Sequence, residues 1–151
     1  MTISDRQPKL LLPFLAPFYV RAIPFSWLVI RAGLGIDLAI HGWEKVDRLP
    51  RIISAMTSGT VASLPAQFDP THNIVLVLTE FIGGICIALG LFTRFFAAVA
   101  AIELAIITFT VFWPQGYGHY EYTFWWGLAM FAIALHGGGP YSLDRRLGRE
   151  L

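Results

Sequence analysis

Five ionisable residues stand inside long apolar stretches of this sequence: Arg31, Asp37, His41, Glu80 and Glu103. A carboxylate or an imidazole in such a place can exchange protons with a bound substrate, and an arginine can neutralise or orient an acidic partner. If the stretches cross a bilayer, an ionised side chain near its middle costs about 2.5–3.5 kcal/mol on insertion scales. Arg31, Asp37, Glu80 and Glu103 facing lipid would together cost on the order of 10–14 kcal/mol by that measure. Such residues must therefore face inward, pair, or be neutralised.

The apolar stretches are long enough to be spans. Of 151 residues, 56% are hydrophobic and 14% charged, against roughly 25% charged in an ordinary soluble domain. A soluble chain of this size has too much surface for its volume to hide so many apolar groups. Four runs approach the ~20 residues that cross ~30 Å of hydrocarbon as a helix: Phe25–Val46, Asn73–Thr93, Phe95–Trp113, and a fourth from about Tyr120 to Gly139. The expected fold is all-α, an integral membrane four-helix bundle. Residues 1–24 form an N-terminal cytoplasmic or interfacial segment broken by Pro8, Pro13, Pro17 and Pro24, residues 25–139 the transmembrane domain, and residues 140–151 a cytoplasmic tail.

The connections set the arrangement. Thr93–Arg94 leaves almost no loop, so the second and third helices form a tight hairpin. The first loop is long, and Ile52, Ile53 and Met56 within it have helical spacing, which predicts a short amphipathic helix on the outer surface. Arg6, Lys9, Arg21, Arg94, Arg145, Arg146 and Arg149 fall on one side of the membrane, and Lys45, Arg48 and Arg51 on the other. That asymmetry predicts a multi-pass membrane protein with both termini in the cytoplasm.

At ~100° per residue, Arg31, Asp37, His41, Glu44 and Lys45 share an arc of about 140°, and Glu80, Gly83, Gly84 and Gly90 one of about 120°. Depth along the helices, at 1.5 Å per residue, places Arg31 ~9 Å and Glu103 ~13 Å from the cytoplasmic edge, which predicts an inner ion pair. His41 at ~24 Å and Glu80 at ~21 Å are expected to meet in the outer half and exchange protons. Lys45, His119 and Glu121 crown that half as the entrance for a quinone or another small molecule. Asp37 lies between the two levels.

Other chemistries are excluded. Cys86 is the single cysteine, so no intramolecular disulfide, CxxC motif or self-contained iron–sulfur cluster exists. No dinucleotide, P-loop, zinc-protease or serine-hydrolase pattern occurs. A metal set of His41, Glu80, His119 and Glu121 is too diffuse in spacing, and no metal is expected. A net charge of +1 without a basic stripe gives nucleic acid no purchase.

The order of the motifs resembles the DoxX family of small bacterial and archaeal membrane proteins, from about Arg31 to Asp144. The first helix carries Arg31, Leu34, Gly35, His41, Gly42 and Lys45; the second carries Glu80, Gly83, Gly84 and Gly90 through to Arg94. The end carries GYGHYE and then GGGPYSLD. Asp37 and Glu103 depart from the family pattern and make the interior more acidic. The resemblance implies kinship with membrane subunits of thiosulfate:quinone oxidoreductase and of other redox assemblies. The leading expectation is thus a membrane subunit of a quinone-linked oxidoreductase or larger electron-transfer complex, with quinone as its ligand and redox subunits or further copies of itself as partners. The alternatives are a non-catalytic accessory or scaffold subunit and a small transporter. The absence of internal repeats lowers the last of these.

Overall fold

The computed structural model describes residues 11–63 and 70–149; among them every regular element is a helix. α1 spans Ala16–Val46 after a short 3-10 turn at Pro13–Leu15. It therefore begins well before Phe25. Pro17 occupies the first turn, where a missing N–H breaks no intrahelical bond. Pro24 lies inside the helix, where its missing N–H leaves the Val20 carbonyl without an intrahelical donor, and the nearby Ser26 hydroxyl donates to the Ile23 carbonyl at 2.8 Å.

α2, Leu49–Ser58, buries Ile52 and Ala55 and exposes Ile53 and Met56. α3 is a continuous rod over 70–89. It comprises Pro70–Leu76, a π-helical stretch Val77–Ile82, and Gly83–Leu89. Gly90, at φ 76°, and Phe92, at φ 48°, turn the chain sharply. α4 then runs over 93–115, with its own π-helical stretch at Thr108–Phe112 and a final 3-10 turn ended by Gly116. α5 is Tyr117–His136, and α6, Leu143–Leu147, folds back at the hairpin end.

Two helical stretches are long and apolar enough to cross a membrane: Pro13–Ser58, which contains α1, and Thr93–Gln115. The apolar part of α3, Asn73–Leu89, is shorter. α5 has 20 residues but carries tyrosines, tryptophans, glycines and two histidines, which dilute its hydropathy.

α1 packs along α3, α3 beside α4, and α4 along α5. The first contact depends on glycine. A Cβ on Gly35 would stand 2.4 Å from the Ala88 backbone nitrogen, one on Gly42 2.2 Å from that of Phe81, and one on Gly84 2.5 Å from that of Ala39. The two backbones touch, as small residues permit between helices. The core behind this seam is Leu38, Ile87, Ala97, Ala100, Met130 and Ile133, with Trp27, Leu34 and Trp126 packed on it.

Polarity is inverted relative to a soluble fold. Arg31 (1% exposed), Asn73 (0%) and Glu80 (8%) are inside, whereas Ile36, Ile40, Ile102, Ile106, Phe109 and Phe131 lie about half or more exposed on the outside. Apolar surface of this extent calls for a lipid or protein covering.

Candidate functional site

The polar residues sort into three groups by the direction each leaves its helix. On α1, Gly35 and Gly42 mark the side facing α3. Arg31 stands within ~20° of Gly42, Lys45 within ~60°, His41 at ~100° and Asp37 at ~140°. Arg31 and Lys45 therefore reach α3, while His41 and Asp37 turn toward α5.

The first group is internal. The Lys45 ammonium donates to the Glu80 carboxylate, and its side chain also reaches the His41 carbonyl at 3.4 Å. Glu80 sits on the π-helical stretch of α3, a distortion that recurs at functional sites because it re-aims side chains. Glu103 of α4 lies against Thr79 and Glu80, and one of its carboxylate oxygens is buried without a hydrogen-bond partner. One cation thus serves two carboxylates.

The second group forms a notch between α1 and α5, helices that meet chiefly through side chains. His41 Nδ1 lies 3.0 Å from the Asp37 carbonyl oxygen and 3.6 Å from its carboxylate. The Tyr122 hydroxyl donates to the same carboxylate at 3.1 Å. The Tyr122 and Trp126 rings lie 5.2 Å apart and face the imidazole at 6.1 and 6.4 Å. The side chains of His41 and Asp37 are 48% and 43% exposed, so the notch opens sideways.

The third group closes the hairpin end. Arg31 donates to the carbonyls of Ile87, Ala88 and, at 3.3 Å, Tyr141. Two of these belong to the last turn of α3, which carries the negative end of the helix dipole, and the Ile87 carbonyl also accepts from the Gly90 amide at 3.1 Å. Asp144, 3% exposed, accepts from the Phe92 and Thr93 amides at 2.7 and 2.9 Å and from the Thr93 hydroxyl at 2.7 Å. It caps α4 from a distant part of the chain.

Two expected pairings do not form. Arg31 and Glu103 are not partners, because Arg31 donates to the last carbonyls of α3 whereas Glu103 faces the middle of that rod. His41 and Glu80 are not partners either, because His41 points away from the α1–α3 seam and Lys45 takes its place. His119 and Glu121 are exposed on the first turns of α5 and enter none of the three groups. Asp144, Tyr122 and Trp126 were not singled out as site residues by the sequence. Serine two residues before Asp144 was a legible cap signal, while the aromatic pair reads as membrane belt until its helix is turned toward His41. Among the described residues, no three His, Cys, Asp or Glu side chains converge as a metal site would require.

Residues 26–113 match the DoxX family. The chain belongs to the DoxX family. It is accordingly a membrane protein. No curated protein and no solved structure matches it. In this DoxX protein the matched region contains Arg31, Asp37, His41, Lys45, Glu80 and Glu103, and it ends before the Tyr122–Trp126 side of the notch and before Asp144.

Proposed function

We propose that this DoxX protein is a membrane subunit of a quinone-linked oxidoreductase or larger electron-transfer assembly, and that the α1–α5 notch takes the quinone headgroup. The observation that carries this is His41, backed by Asp37, flanked by two aromatic rings and open sideways within an apolar helix. With Nδ1–H donating to the Asp37 carbonyl, Nε2 presents a lone pair to a quinol hydroxyl. Asp37 then stabilises the imidazolium that forms, and the rings offer a flat apolar wall. The two electrons pass to a redox centre on a partner subunit, and the second quinol proton passes to the carboxylates around Lys45.

In the same proposal α1, α3, α4 and α5 all span the inner membrane with both termini cytoplasmic, and α2 lies on the outer surface. Glu80 and Glu103 around Lys45 supply the proton-exchanging group one helical turn from His41. The accessory-subunit alternative rests on small size, a glycine face and lipid-lying segments; of these, the glycines Gly35, Gly42 and Gly84 pack within the chain.

Purification from native membranes in mild detergent tests the proposal. Redox subunits and extractable quinone should accompany the protein. Partners that co-purify and bind no added quinone would reject it in favour of an accessory role.

A further inference from the structure

The hairpin end carries a basic depression that the quinone proposal does not use. His136, Gly139, Pro140, Asp144, Arg145, Gly148 and Arg149 line a volume of about 520 Å³ there. Asp144 is already committed to capping α4, and among the described residues neither Arg145 nor Arg149 has an ion-pair partner. The two arginines do not float. Asp144 anchors α6 to the hairpin, the Ser142 hydroxyl accepts from the Arg145 amide at 3.1 Å, and the Arg149 amide donates to the Asp144 carbonyl at 3.2 Å.

Beside this depression an apolar groove of about 840 Å³ runs between α4 and α5. Ala98, Ala101 and Ala105 on α4 and Gly127 on α5 form its floor, with Phe95 and Phe131 among its walls. The groove reaches Leu135, and the next residue, His136, lines the basic depression. Cationic cup and apolar groove therefore lie at the same end of α5, where Arg94 also lines the groove.

We infer that cup and groove together bind one anionic phospholipid, its phosphate between Arg145 and Arg149 and an acyl chain along α4 and α5. A phospholipid carries both chemistries in one molecule, at the spacing of a membrane edge and its interior. Basic pockets at the ends of membrane helices attract such headgroups, and burial of the chain in the groove adds the apolar contribution. Free phosphate would satisfy only the cup.

Thermal unfolding of the full-length protein in mild detergent, titrated with phosphatidylglycerol or phosphatidylcholine of the same chain length, tests the site. Phosphatidylglycerol should stabilise at concentrations about tenfold lower than phosphatidylcholine. The double variant Arg145→Gln/Arg149→Gln should lose that preference, while Arg146→Gln, outside the cup, should keep it. Gly127→Leu fills the groove where an added Cβ meets Leu104 at an ordinary 3.5 Å, and should weaken the phosphatidylglycerol response. If the double variant does not fold, native mass spectrometry of the wild-type chain should find one retained phosphatidylglycerol in preference to phosphatidylcholine. Equal responses to the two lipids, a preference that survives the double variant, or inorganic phosphate reproducing the whole shift would overturn the inference.

Discussion

The Glu80 carboxylate, on the π-helical stretch of α3, is paired with the Lys45 ammonium in the last turn of α1. Their side chains are 11% and 17% exposed, so the pair is largely shielded. Breaking a buried pair leaves an uncompensated charge and costs about 3–5 kcal/mol. Glu103 makes the two ends unequal. Lys45→Met leaves two carboxylates side by side with no cation, whereas Glu80→Gln leaves Lys45 with Glu103 still at hand. Lys45→Met should destabilise the protein by about 3 kcal/mol, and Glu80→Gln by clearly less. Unfolding in detergent compares them; the opposite order would show that Glu103 is no substitute partner.

Arg31 and Glu103 should behave independently. Arg31→Lys cannot reproduce a planar group that contacts three carbonyls, and should cost about 2–3 kcal/mol. Glu103→Gln acts at the Lys45 group. In a double-mutant cycle the two effects should add within about 0.5 kcal/mol, as for separate sites. A coupling well above that would restore the ion pair expected from depth alone.

Hydropathy and span length made the helical architecture legible, and the family motifs covered most of the interior. Height along a helix was not legible from the apolar runs, because the first helix starts at Ala16 and not at Phe25. The hairpin is the shared reference for α3 and α4: Glu80 lies ten residues before Gly90, and Glu103 ten after Thr93, which sets them level on adjacent helices. Direction around the helix was the second gap. A polar arc of ~140° is too wide to say which neighbour each residue faces, and only the glycine seam at Gly35, Gly42 and Gly84 resolves it. The distant cap from Asp144 could not be read at all, since its partners lie some fifty residues upstream.

That seam gives a sharp contrast between two nearby glycines. A Cβ on Gly35 would collide with backbone atoms of Ala88 and Gly84, which cannot swing aside, whereas one on Gly33 meets nothing within 4 Å. Gly35→Ala should force α1 from α3 and destabilise by about 3 kcal/mol, the upper end of overpacking penalties. Gly33→Ala should be neutral or stabilising by up to about 1 kcal/mol, as replacing a helical glycine generally is. Unfolding of the two single variants decides it, and equal stability would mean the helices do not touch as closely as described.

Asp144→Ala should loosen the hairpin end selectively. It removes acceptors from the Phe92 and Thr93 amides and the Thr93 hydroxyl. Lost capping and unsatisfied donors together should cost about 2 kcal/mol. Because α6 is held through the same carboxylate, limited proteolysis within 140–149 should accelerate before the rest of the chain opens. Uniform protection in the variant would show that Ser142 and the Asp144 backbone suffice to hold the segment.

The notch provides the prediction that separates a binding surface from a proton-exchanging one. His41 presents a ring nitrogen outward, whereas the Tyr122 hydroxyl is directed at Asp37. Tyr122→Phe keeps the ring beside His41 and removes only the bond to the carboxylate. It should lower quinone binding by less than about fivefold, corresponding to roughly 1 kcal/mol for one hydrogen bond. His41→Gln keeps a polar side chain but removes the imidazole base. It should leave the partner subunits assembled and quinone bound, while lowering turnover of the assembled complex by about 10²-fold or more, the usual contribution of a general base. Turnover that survives His41→Gln with quinone still bound would remove the proton role and leave His41 as a headgroup contact. Loss of assembly in that variant would instead assign His41 to the packing of α1 against its neighbours.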